Sequence, residues 1–271
     1  MVGVTRVDGF LIDHSSAPGG KQFRFTPDNF RRFNGYLLLL AENYNPDLLD
    51  PESVIREELK LTKLGGYATP HVIVVAEKEK PIEDRVPRDV VSAASGNMMP
   101  IKMGDAPTDR AAFGILSYSP PEVVGATNPT YQAVERLTSE LEAIARKRGR
   151  PYFGDVVESE PGKVDIYRSW GFQRLDGVPY VQPVLDWKRD GTPAKKEVEL
   201  PLMFRRRSEA VTLDLALEVV NALYDWTIPS PDEFPQLRDG RAERNAVQYH
   251  EEMRDRVLDA IVRPGNQVRL V

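Results

Sequence analysis

Residues 113–172 read FGILSYSPPEVVGATNPTYQAVERLTSELEAIARKRGRPYFGDVVESEPGKVDIYRSWGF. Phe113 to Tyr118 is a short β-rich run that stops at Pro120-Pro121. Asn128 then stands where a helix cap belongs, with Pro129 at the first helical position. From there Tyr131, Val134, Leu137, Leu141, Ile144 and Ala145 recur at three- and four-residue steps, until Gly149 and Pro151 end the pattern. Tyr152 to Val157 predicts another strand, and Lys163 to Trp170 a short helix closed by Gly171. Strand, long helix, strand and short helix thus form one ordered α/β unit.

Upstream, Phe30, Phe33, Leu37, Leu38, Ala41 and Tyr44 predict an amphipathic helix over residues 27–44, with Thr26 as cap. Asp50-Pro51-Glu52-Ser53 opens a second helix that runs to Gly65-Gly66, and His71 to Ala76 and Val90 to Ser95 read as strands. Between Ser95 and Phe113 the sequence reads as a methionine-bearing loop, in which Met98, Met99 and Met103 are candidates to line an adaptable apolar pocket or to fill core gaps. Downstream, Val178 to Leu185 and Val198 to Phe204 are further strands. After Arg207 the pattern turns purely helical. Leu215, Ala216, Val219, Val220 and Leu223 form one stripe, and Ala246, Tyr249, Met253, Val257 and Ile261 another. The expected organisation is an α/β domain over residues 1–207 and a helical C-terminal extension over 208–271. The stripes of that extension need a partner surface on the core or on a second copy, which leaves homodimerisation open.

Composition narrows the chemistry. The apolar fraction of 41% is that of a globular chain. The longest apolar stretch, Tyr36 to Ala41, is far short of the ~18 residues that cross a bilayer. No secretory leader is read at the N-terminus, and a cytoplasmic protein without membrane contact is expected. There is no cysteine, and the three histidines, His14, His71 and His250, fall in no ligand spacing, so neither thiolate catalysis nor a metal site is expected. A net charge of −5 disfavours nucleic acid as the partner and favours small molecules. The chain lacks a Gly-x-Ser-x-Gly elbow, a Gly-x-x-x-x-Gly-Lys-Ser/Thr loop and a Gly-x-Gly-x-x-Gly turn. Arg205-Arg206-Arg207 could hold an anion but reads as a solvated basic face. Trp170, Trp187 and Trp226 read as packing anchors.

The segment Ile166-Tyr167-Arg168-Ser169-Trp170-Gly171-Phe172 resembles the Tyr-x-x-x-Gly-Phe segment of the GNAT superfamily of acyl-CoA-dependent N-acyltransferases, and it lies after the fifth strand as in that family. The resemblance spans roughly residues 25 to 205. It implies a mixed, mostly antiparallel central sheet flanked by helices. It also implies transfer of an acyl group, acetyl in the simplest case, from acyl-CoA to the amine of a small molecule or peptide.

The resemblance implies site residues as well. The turn into the long helix, Gly125, Ala126, Thr127, Asn128 and Thr130, would hold the pyrophosphate of coenzyme A through backbone amides and the positive end of the helix dipole. Glu122 and Thr127 depart from the family pattern there. A backbone N–H at Leu116 or Ser117 would polarise the thioester carbonyl. Tyr167 would give a proton to the departing thiolate, since a phenol with an ordinary pKa near ~10 is a reasonable donor. The amine must lose a proton before it attacks, and Glu158 at the end of its strand is the candidate base, with Asp155, Glu160 and Glu122 as other carboxylates. The contrasting expectation, from the two departures, is a GNAT-like module without catalysis that binds a ligand or a partner.

Overall fold

A computed structural model describes residues 4–12, 27–43, 71–102, 110–119, 128–147, 149–184, 186–206, 212–231 and 234–271. Eight strands form one sheet, in the order β1 (Val4–Ile12), β2 (His71–Lys78), β3 (Val90–Lys102), β4 (Arg110–Ser119), β5 (Tyr152–Glu158), β9 (Leu202–Arg206), β6 (Gln173–Asp176) and β10 (Arg269–Leu270). A two-stranded ladder joins β7 (Val181–Gln182) to β8 (Val198–Glu199). Among the described residues every pairing is antiparallel except that of β4 with β5. The α-helices among the described residues are α1 (Pro27–Asn43), α2 (Pro129–Lys147), α3 (Val164–Ser169), α4 (Leu213–Trp226) and α5 (Gly240–Val262). This is the mixed, mostly antiparallel sheet with flanking helices that the sequence leads one to expect.

The parallel pair requires a crossover, because a tight turn cannot return the chain in the same direction. Helix α2 lies in that connection and covers one face of the sheet. Its Ala133, Val134, Leu137, Leu141 and Ala145 pack on Val72, Val74, Ala94 and Met98, and α3 and its C-terminal flank add Tyr167, Trp170 and Phe172 to the same cluster. Complete burial of an aliphatic such as Leu137 is worth about 1.5–3 kcal/mol. The opposite face carries two separate clusters. Beneath α1, Phe33, Tyr36 and Leu40 meet Ile73, Val75 and Ala93. Beneath α4 and α5 lie Met99, Ile101, Phe153, Val156, Leu202 and Phe204. Helix α1 is also tied to β2 by charge, with Arg31 Nη1 at 2.6 Å and Arg32 Nε at 3.1 Å from the fully buried carboxylate of Glu77.

Three expectations are corrected, and one strand had not been foreseen. The stretch from Gly96 to Lys102 is not a loop: β3 runs on through it, and alternation sends Met98 to the α2 face and Met99 to the other, where both fill core. Val198 to Phe204 divides at Leu200-Pro201 into β8 and β9, because proline has no N–H to give a ladder. Of residues 178–184 only Val181–Gln182 is strand, Val178, Tyr180 and Val184 are core residues on irregular backbone, and Leu185 lies outside the described residues. β1 is a strand without a clear alternating signal, since it mixes charged and apolar residues at the sheet edge, where charge is tolerated. The expected helix from Pro51 to Gly65 falls outside the described residues.

The C-terminal helices share their core with the sheet. Leu215, Ala216, Val219, Val220 and Leu223 of α4, with Ala246, Met253, Val257 and Ile261 of α5, are buried in the cluster that holds Val156 and Phe204. The last residues return to the sheet as β10, and Arg174 and Val271 exchange backbone bonds of 2.8 and 3.0 Å. The apolar stripes are therefore covered within the chain.

His250 of α5 sits inside this core with Nε2 at 2.8 Å from the Tyr224 carbonyl, while Nδ1 has no partner. Burial lowers its pKa below the usual value of about 6.5. The unfolded chain then takes up a proton that the folded chain refuses, so stability falls as pH drops through 6.5 toward the folded value. The expected outcome is a urea midpoint that declines from pH 7.5 to 5.5 in the wild type and declines less in His250→Gln, as read by circular dichroism.

Candidate active site

Strands β4 and β5 begin as partners and then part. Their register runs Ala112 with Tyr152, Phe113 with Gly154, Gly114 with Asp155 and Ile115 with Val156, and stops there. Each strand continues, β4 to Ser119 against β3 and β5 to Glu158 against β9. Peptide groups along a strand point alternately to its two edges. Of Leu116 and Ser117, one therefore turns its N–H to β3 and the other turns its N–H to the β5 edge, where the pairing ends. A backbone N–H left free at such an edge would polarise a carbonyl placed on it.

The entry to α2 is more occupied than the sequence indicates. Asn128 Oδ1 accepts a 2.8 Å bond from the Thr130 amide, and the Asn128 carbonyl receives the first helical bond from Gln132. Pro129 has no N–H. The Thr130 hydroxyl pairs with Ser92 Oγ at 2.6 Å, and Thr130 is fully buried. Asn128 and Thr130 thus build the helix start, and the amide of Thr130 is not open to a phosphate. Gly125, Ala126 and Thr127, with Glu122, lie outside the described residues.

Tyr167 is 2% exposed, with its ring edge-on to Trp170 at 5.9 Å and to Phe172 at 5.7 Å. Gly171 ends α3 at φ 84°, a left-handed turn that glycine adopts without strain, and the Phe172 amide bonds back to the Tyr167 carbonyl at 3.1 Å. This turn swings Phe172 under α2.

There Arg205 joins the parts. It lies 4.7 Å above the Phe172 ring, donates to the Trp170 carbonyl at 3.3 Å and to Thr138 Oγ1 at 2.7 Å, and pairs with Glu135. Its Nε and Nη2 reach Asp155 Oδ2 at 3.1 and 3.0 Å. The reading of Arg205 as solvated is corrected, because it is buried among these partners; the side chains of Arg206 and Arg207 lie outside the described set. Asp155 accepts further bonds from Tyr152 and Thr138. Burial raises its pKa, and Arg205, Tyr152 and Thr138 oppose that rise.

Glu158 ends β5 just past the parting, and its Oε1 accepts a 2.6 Å bond from the hydroxyl of Tyr180. Tyr180 is 1% exposed, and burial, with the Glu158 charge beside it, holds its pKa well above 10. Val156 and Tyr180 both belong to the cluster beneath α4 and α5, which places Glu158 on that face. Val157 and Tyr167 belong to the α2 face. The two candidate groups therefore lie on opposite faces of the sheet. Asp155 is committed to Arg205, and Glu160 faces Lys163 at 3.4 Å. Tyr180 carried no sequence signal, since its partner is 22 residues away and its own segment is irregular. Among the described residues, no group of three or more His, Cys, Asp or Glu side chains could hold a metal, and no helix is long and apolar enough to cross a membrane.

No family model matches the chain, and no curated protein matches it. Two solved proteins are similar to it in outline. One, from Bacteroides thetaiotaomicron and provisionally assigned as an acetyltransferase from the GNAT family, superposes with a TM-score of 0.38 at 14% identity, covering 75% of this chain and 98% of its own. The other, from Lactobacillus plantarum and provisionally assigned as an N-acetyltransferase, gives 0.29 at 11% identity, covering 74% and 99%. Superpositions this loose carry no functional argument.

Removal of Arg205 would strand a buried carboxylate. Arg205→Met is expected to lower the urea-unfolding free energy at pH 7 by about 3–5 kcal/mol. The loss should shrink toward pH 5, because Asp155 without its partner takes up a proton in the folded state before it does so in the unfolded one.

Proposed function

We propose that the chain is an acyl-CoA-dependent N-acyltransferase that moves an acyl group, acetyl in the simplest case, to the amine of a small molecule or peptide. The observation that carries this reading is the parting of the parallel pair after Ile115 and Val156, with the carboxylate of Glu158 beside it; a backbone N–H of Leu116 or Ser117 would be the donor there. The acyl-CoA thioester would enter the opening with its carbonyl oxygen on that donor. The amine nitrogen would attack the carbonyl carbon, forming the C–N bond, and its proton would pass to Glu158. The C–S bond would then break, and the thiolate would take a proton from Tyr167. Of the residues first assigned to the pyrophosphate, the amides of Gly125, Ala126 and Thr127 are the ones this reading relies on, since Thr130 is used by the cap.

The burial of Tyr167 and the occupied amide of Thr130 favour a second reading, a GNAT-like module that binds a ligand or partner without turnover. Titration with acetyl-CoA, followed by thermal shift, separates the two. Stabilisation by RT ln(1 + [L]/Kd) is expected, about 2.7 kcal/mol at a hundredfold excess over Kd, and a flat titration with acetyl-CoA and longer acyl-CoAs supports the module.

Tyr167→Phe is expected to keep that thermal shift and to slow thiol release in a free-thiol assay about 10²-fold or more. An unchanged rate removes the phenol from the chemistry.

A further inference from the structure

Asn97 of β3 alternates with Met98, so it faces away from α2, on the side of Met99 and Ala93. On that side the α1 cluster ends at Ala93 and the α4–α5 cluster begins at Met99. Ser95 and Asn97 occupy the seam between them. The Ser95 hydroxyl is paired with Tyr36 Oη of α1 at 2.7 Å. Asn97 is 8% exposed, and its Oδ1 is buried without a hydrogen-bond partner. A buried carbonyl oxygen without a hydrogen bond is costly to a fold, and a donor from outside the chain would satisfy it.

The register sets this oxygen one strand from the parting. Asn97 pairs with Ile115, the last β4 residue joined to β5. One row further, Ser95 pairs with Ser117, and continuing the parallel register brings Ser117 level with Glu158 across the opening. Two strand spacings separate β3 from β5, about 10 Å before the parting widens them. Asn97 Oδ1, the Ser95–Tyr36 hydroxyl pair and the Glu158 carboxylate thus lie on one face of the sheet, on either side of β4, between the two apolar clusters.

We propose that this seam is the acceptor site of the transferase and that Asn97 reads the acceptor as a small primary amine with an apolar body, through a hydrogen bond from its N–H to Oδ1. The inference rests on the acyltransferase reading for its role in catalysis and on Asn97 alone for its ligand. Oδ1 and the Glu158 carboxylate both accept, so the complementary group is one rich in N–H donors and positively charged. Apolar clusters on either side match a hydrocarbon or aryl remainder.

The probe is benzylamine, with benzyltrimethylammonium as control: the ring and the charge are retained, and the N–H donors are gone. In protein labelled with ¹⁵N-asparagine, benzylamine is expected to move the Asn97 side-chain resonances and benzyltrimethylammonium to leave them in place. Asn97→Leu is expected to weaken benzylamine about tenfold, the value of one hydrogen bond to a charged donor. The same variant should keep or raise its own Tm, because it removes the orphan oxygen, and Asn97→Ala should lose benzylamine binding in the same way. Equal responses to the two probes, unmoved Asn97 resonances, or full benzylamine affinity in both variants would each overturn the proposal. Acetyl-CoA stabilisation without a benzylamine response rejects the seam and leaves the acyltransferase standing. A benzylamine response without acetyl-CoA stabilisation keeps the amine site and rejects the transferase.

Discussion

The pairing of Asp155 with Arg205 is the interaction on which the arrangement around the parting depends. It exists because of a bulge. Phe113 pairs with Gly154 where Ala112 paired with Tyr152, so Phe153 is extra, and Gly154 takes φ 150° to admit it. The inserted residue shifts the alternation of β5 by one, and Tyr152 and Asp155 come to face the same side, beneath α2. There the Tyr152 hydroxyl, Thr138 and Arg205 converge on one carboxylate. A lone ionised carboxylate at this depth would be prohibitive, and the bonds it receives make the burial tolerable. Through the same guanidinium, β9, α2, the end of α3 and the Phe172 ring are held to β5, which fixes the segment that carries Tyr167.

The sheet acts as a partition with one breach. Helix α2 and the aromatic cluster of Tyr167, Trp170 and Phe172 close one side; α1 on one flank and α4 with α5 on the other close the second side and leave a polar seam between them. The breach is the parting of β4 from β5. The proposed acyl transfer would need two reactants brought together while water is kept out, and an opening with a face on each side of the sheet would admit one from each. Glu158, oriented by a buried phenol, stands on the side of the seam.

Much of this was legible from local sequence. The α2 pattern was plain because one face of a long helix repeats every three to four residues and its cap and stop residues bracket it. The Tyr-x-x-x-Gly-Phe segment was legible for a related reason, as glycine at a left-handed turn leaves a mark that nothing else replaces. The strand through Met98 and Met99 escaped because it is buried on both faces, and a strand without a wet side has no alternation to read. Arg205 escaped because three consecutive arginines look alike until a fold buries one of them against an acid 50 residues away.

By itself, the order of residues determined that the chain is a mixed α/β protein with a capped helix between two strands, since caps, turns and periodicity are local properties of a few neighbouring residues. Only the tertiary structure decided which strands run parallel, where they separate, that Arg205 is internal, that Thr130 serves the helix instead of a phosphate, and that Asn97 keeps an unanswered oxygen. These are outcomes of pairing between distant segments, in which a one-residue bulge reverses the face of every side chain beyond it.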